Sequence, residues 1–202
     1  MRLYYIHDPM CSWCWAFRPV WTALQAQLPL HVGVTYLLGG LAPDSTNPMP
    51  LGLQRQIQQH WHAIQTKVPG TMFNFDFWKV CEPRRSTYPA CRAVIAAKIQ
   101  GLAYEDVMIR SIQEAYYLQA LNVSDDVVLM ACAEKIGLDS IQFMHDFYKR
   151  ETKEALMKEI YFGQQMGAEG FPSLILELDG KYQNIRLDYN HVAPMLNQLE
   201  AC

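Results

Sequence analysis

The chain has 202 residues, half of them hydrophobic and 18% charged, enough apolar material for one compact unit with a sizeable core and too much for a disordered or fibrous chain. A net charge of −3, with Arg84-Arg85 the only adjacent basic pair before the last third, gives no field to hold a phosphate backbone, so no nucleic-acid partner is expected. No apolar run approaches the roughly 18 residues of a membrane span, and the N-terminal apolar run breaks at His7, short of a signal peptide, so no membrane partner is expected either.

Residues 3–7, rich in Tyr and Ile, predict a short strand that runs into the turn Asp8-Pro9-Met10. A helix should begin at Cys11, because Phe17, Val20, Trp21, Leu24 and Leu28 recur at three- and four-residue steps on one stripe. Pro19 lies inside that stripe and predicts a kink. Residues 31–38 place Val32, Val34, Tyr36 and Leu38 on one face of a second strand, and the right-handed crossover rule makes the two strands parallel neighbours. Residues 39–52 form a loop punctuated by Gly39, Gly40, Pro43, Asp44, Pro48 and Pro50.

Beyond it the pattern is helical. Stripes through Leu53, Ile57, Trp61 and Ile64, then Val94, Ile95 and Ile99, then Val107, Met108, Ile112 and Ala115 each predict a helix. Ser124-Asp125-Asp126 predicts a further helix start closing at Gly137, and Asp139 another running to Tyr148. The alternation Phe73-Asn74-Phe75-Asp76-Phe77 predicts either a short extended piece or an exposed aromatic surface. After a helix ending near Met166, residues 173–178 and 181–187 read as strands joined by Asp179-Gly180, a tight hairpin turn. A closing helix starts near His191, with Val192, Leu196 and Leu199 inward. The predicted class is α/β, a thioredoxin-like fold with a large all-helical insertion between the second strand and the C-terminal hairpin. Residues 1–45 and 160–202 form the thioredoxin-like domain, and 46–159 the insertion.

The chemistry rests on Cys11-Ser12-Trp13-Cys14. Two thiols spaced by two residues at a helix start can close a small disulfide ring, and the unpaired N–H groups there favour a Cys11 thiolate over a free thiol of pKa about 8.5. Cys11 is then the nucleophile and Cys14 the resolving thiol. No metal or cofactor is expected, because a zinc site wants a second close pair, and Cys81 with Cys91 is too widely spaced for one. His60 and His62, two residues apart on a helix, point to different faces. Gly170-Phe171-Pro172-Ser173 is the second feature. A proline before the hairpin's first strand can hold a cis peptide facing the thiols, and the backbone of Phe171 could pair with an extended substrate.

Ile6-His7-Asp8-Pro9-Met10 before the cysteine pair, Pro19 after it, the helical insertion and Gly-Phe-Pro before the last hairpin together resemble the DsbA-like family of the thioredoxin superfamily. Asp8 and Trp13 are similar more narrowly to its FrnE-type branch. The resemblance implies a thiol-disulfide oxidoreductase in which Cys11 attacks, Cys14 resolves, Pro172 is the cis-proline, and Ser12, Trp13, Phe171 and Pro172 meet the substrate. Ser12 stands where the family often has proline, and its hydroxyl or N–H is expected to hydrogen-bond the Cys11 sulfur. Tyr5 stands where relatives keep a buried acid, with Asp8 or His7 as substitutes. The expected partners are protein or peptide thiols and disulfides, glutathione among them. The expected compartment is the cytoplasm, where Cys81, Cys91, Cys132 and Cys202 stay thiols. Two alternatives stay open: a glutathione-dependent transferase or isomerase of the kappa or 2-hydroxychromene-2-carboxylate isomerase type, and a non-enzymatic redox-responsive interaction protein.

Overall fold

The computed structural model describes residues 1–200, so Cys202 lies outside the described residues. Four strands form one sheet in the order β2-β1-β3-β4. The central strand β1 (Arg2–His7) pairs in parallel with β2 (Gly33–Leu38), His7 opposite Leu38, and antiparallel with β3 (Ser173–Leu178), Ile6 opposite Ser173. The edge strand β4 (Lys181–Ile185) closes the hairpin with β3. Asp179 and Gly180 both take positive φ, 50° and 75°, the conformation a two-residue hairpin turn requires. β4 ends two residues before the expected Leu187.

Period-2 alternation sorts the sheet into two faces. Leu3, Tyr5, Leu174 and Leu176 join Phe17, Val20, Trp21 and Leu24 of α1 (Ser12–Gln25), and Met195 and Leu199 of α9 (Ala193–Glu200). Tyr4, Ile6, Leu37 and Ile175 point the other way, with Met166 at the end of α8 (Arg150–Gln165). There Gly163 of α8 faces Ile6, and a Cβ on it would stand 3.4 Å from that side chain, at ordinary van der Waals contact. The predicted stripe of α1 is buried as read, except that the helix stops before Leu28, and it continues through an exposed Pro19. In α9 the most buried residue is Met195, which the periodicity did not single out; Val192 and Leu196 are half-buried.

The remaining helices are α2 (Leu51–Lys67), α3 (Phe77–Val80), α4 (Tyr88–Gln100), α5 (Tyr104–Tyr117), α6 (Asp126–Lys135) and α7 (Ser140–Tyr148). They share a second core in which α4 packs against α5, α6, α7 and α8, and the fully buried Trp61 of α2 anchors its aromatic side. The segment 73–77 corrects its expectation. It forms neither a strand nor a surface patch: Phe73 stacks on Trp61 at 4.7 Å, Phe75 and Phe77 crowd the same indole, and Phe77 opens α3. A large planar side chain on a neighbouring helix outcompetes solvent for these rings. The expected end of the insertion at residue 159 falls inside α8, which is continuous from Arg150 to Gln165.

Candidate active site

The site forms where β1 hands over to α1. Asp8 organises the turn: one carboxylate oxygen accepts the Met10 N–H at 2.7 Å, and its carbonyl accepts the Cys11 N–H at 3.0 Å. The second oxygen accepts from the Leu41 N–H at 2.7 Å, the Thr87 hydroxyl at 2.6 Å and the Cys91 thiol at 3.6 Å. Asp8 is completely buried, and desolvation raises its pKa although these donors pull the other way. Thr87 and Cys91 come from the start of α4, and no local pattern in the sequence marks them as neighbours of Asp8.

Cys11 is the N-cap of α1, and its sulfur accepts the Cys14 N–H at 3.3 Å. That bond comes from Cys14 and not, as expected, from Ser12. In a capping geometry the third N–H along points back at the cap atom, whereas that of the next residue does not. The Cys11 thiol donates to the Phe171 carbonyl at 3.3 Å, and the Phe171-Pro172 peptide is cis. The structure therefore brings Cys11, Cys14 and Phe171-Pro172 together from opposite ends of the chain. Cys11 is 6% exposed and Cys14 not at all. Burial and the adjacent Cys11 sulfur push the Cys14 thiol well above the ordinary range.

Trp13 is half-buried, edge-on to Tyr189 at 5.0 Å with the Lys67 ammonium 5.7 Å from its ring. Tyr5 fills the position of the missing acid with an aromatic column: it stacks on Trp21 at 4.6 Å and on His7 at 5.0 Å. His7 is buried with both ring nitrogens unpartnered, and desolvation lowers its pKa to about 3, so its ring is neutral at physiological pH. Asp8 is thus a buried carboxylate at the site, just past the end of β1 and three residues beyond Tyr5.

A cavity of about 270 Å³ opens beside Cys11, walled by Ser12, Trp13, Leu41, Ile57, Thr87 and Phe171 among others. A larger hollow of about 670 Å³, between Trp15, Val68, Met72 and Leu118, touches neither thiol. Among the described residues no group of three or more His, Cys, Asp or Glu could hold a metal ion, and no helix is long and apolar enough to cross a membrane. The five described cysteines carry free thiols.

A family model described as Thioredoxin matches residues 4–190. The ClpXP adapter protein SpxH of Halalkalibacterium halodurans is 27% identical over 179 residues, covering 87% of this chain and 58% of that protein, so the chain spans less than two thirds of this curated relative. Among solved structures, a putative protein disulfide isomerase from Nitrosomonas europaea superposes with a TM-score of 0.86 at 27% identity, over 99% of this chain and 96% of that one. The cytosolic disulfide reductase DsbM of Pseudomonas aeruginosa, also solved with glutathione, superposes with a TM-score of 0.78 at 24% identity, over 100% of this chain and 98% of that one. The Cys-x-x-Cys at a helix start, the cis-proline facing it, the sheet order and the match across nearly the whole chain agree, and the chain belongs to the thioredoxin family, with a DsbA-like helical insertion in its fold.

Proposed function

We propose that this protein is a cytoplasmic thiol-disulfide oxidoreductase, working as a reductase or isomerase through Cys11 and Cys14. The observation that carries the reading is the Cys11 sulfur at the start of α1, bordering a cavity, with the Phe171 carbonyl on one side and the Cys14 N–H on the other. The Cys11 thiolate attacks a substrate disulfide, forming a mixed disulfide and expelling one substrate thiolate. Cys14 then attacks the Cys11 sulfur and releases the second. Ser12, Trp13, Phe171 and Pro172 hold the substrate, whose extended backbone pairs with that of Phe171. The reductive direction and the compartment draw support from the likeness to a cytosolic disulfide reductase, and glutathione enters as a candidate thiol from the same comparison. The retained Cys14 favours this chemistry over that of the kappa or 2-hydroxychromene-2-carboxylate isomerase enzymes. Residues 46–159 would then act as a helical cap over the thioredoxin-like unit of residues 1–45 and 160–202.

Insulin reduction and refolding of a scrambled disulfide substrate test the reading. Cys11→Ser should abolish both, while Cys14→Ser should accumulate a mixed disulfide visible by mass. Exchange that survives Cys11→Ser would refute the proposal.

A second reading has its own observation, the match of most of the chain to ClpXP adapter proteins. In it the chain binds a protein partner and the cysteine pair reports redox state. Partner binding that tracks the oxidation state of the pair, in a chain without exchange activity, would favour it.

A further inference from the structure

The cavity beside Cys11 has one sign of charge. Its walls include Arg84, Arg85 and His60, and no Asp or Glu. Arg84 is already engaged, donating to the Ser124 carbonyl at 2.7 Å and pairing with Asp125. The nearby Asp8 carboxylate lies behind Thr87 and is saturated by four donors. Arg85 is half-buried and makes no hydrogen bond or ion pair with any described residue. A guanidinium presents five N–H donors in a planar fork that fits a carboxylate, and the Arg85 nitrogens, open to solvent at the cavity wall, are free to receive one. The chain as a whole carries −3, so this cation belongs to no general basic surface. At about 270 Å³ the cavity lies just below the roughly 300–1,000 Å³ typical of small-molecule sites, room for one arm of a small peptide disulfide while the other arm stays in solvent.

We propose that Arg85 anchors a carboxylate of a small peptide disulfide of the glutathione class, fixing its sulfur pair against Cys11. The inference rests on the redox reading above and adds the substrate class to it. The Cys11 thiolate attacks one sulfur of the disulfide, forming a Cys11 mixed disulfide and releasing one peptide thiolate. Cys14 attacks Cys11, releasing the second. The protein dithiol loses two electrons and two protons, and the peptide disulfide gains both as two thiols. Arg85 takes no part in the bond changes; it is a positioning residue.

The test compares two disulfides in single-turnover oxidation of the reduced protein: glutathione disulfide, which carries carboxylates, and bis(2-hydroxyethyl) disulfide, which does not. The ratio of their rates should fall about tenfold in Arg85→Ala, the effect of losing one charge-assisted hydrogen bond. Arg85→Lys should recover most of it, and matching unfolding midpoints of the two variants would exclude misfolding. A ratio unchanged in Arg85→Ala, while Cys11→Ser abolishes reaction with both disulfides, overturns the carboxylate anchor and leaves the redox reading standing. A wild-type protein inert toward both disulfides and toward insulin overturns the redox reading itself. Loss in Arg85→Ala confined to an acidic protein disulfide, with glutathione disulfide unaffected, also overturns the proposal and moves the substrate class to proteins.

Discussion

Glu159 of α8 reaches the end of β2, where one carboxylate oxygen accepts the Leu38 N–H at 2.7 Å, and burial raises its pKa from 4.5 to about 7. The nearest cation, Lys98, is paired with Glu105 at 2.6 Å and offsets only part of this. The folded protein therefore holds this proton more tightly than the unfolded chain does. The group's contribution to stability is whole below about pH 4.5, declines as pH rises, and is lost above about pH 7, a difference on the order of 3 kcal/mol. Glu159→Gln keeps an acceptor for Leu38 and removes the ionisation. Urea midpoints measured at pH 5 and pH 8 should fall more for the wild type than for the variant; parallel declines would show that the site is solvated. At this scale the sequence exposed Cys11, Cys14 and Pro172, because spacing and neighbours mark them. It offered nothing for Glu159, Thr87 or Cys91, whose roles depend on partners distant in the chain.

At the scale of elements, β2 is followed by Gly39, whose N–H donates to the His7 carbonyl at 2.7 Å. A Cβ there would lie 2.0 Å from the Phe171 ring. Gly39→Ala must therefore displace the ring of Phe171, the residue whose carbonyl meets the Cys11 thiol. Overpacking of this kind costs about 1–3 kcal/mol. The variant should unfold at lower urea and exchange disulfides at least about tenfold more slowly, following a lost contact of a few kcal/mol at the reacting centre. Wild-type behaviour in both measurements would mean that the loop before β3 yields freely. In the sequence Gly39 reads only as punctuation after a strand. The ring that requires it arrives from the other end of the chain. The elements themselves were legible where periodicity is strong, as in β1, α1 and the β3–β4 hairpin, and less so in α3, which is too short to show a period.

At the scale of the molecule, the sheet supports the thiols and the helices wall the cavity, and Trp61 gathers the aromatic side of the helical core. Its indole contacts Phe73, Phe75, Phe77, Trp78, Tyr116 and Tyr117, and it also lines the cavity beside Cys11. Trp61→Ala should cost about 3–5 kcal/mol in denaturant unfolding, since so many rings cannot all close on the void. A loss below about 1 kcal/mol would show that the cluster collapses around the gap. The sequence by itself determined the strand-helix-strand unit, the cysteine pair at its seam and the closing hairpin, because periods of 2 and 3.6 and turn chemistry are written between near neighbours. Only the tertiary structure decided that the Phe73–Phe77 rings are core, that Asp8 gathers Thr87 and Cys91, that Phe171 covers Cys11, and that Arg85 lines the same cavity. Each of those is a contact between residues far apart in the chain, and no local pattern encodes which distant side chain packing will bring to a given place.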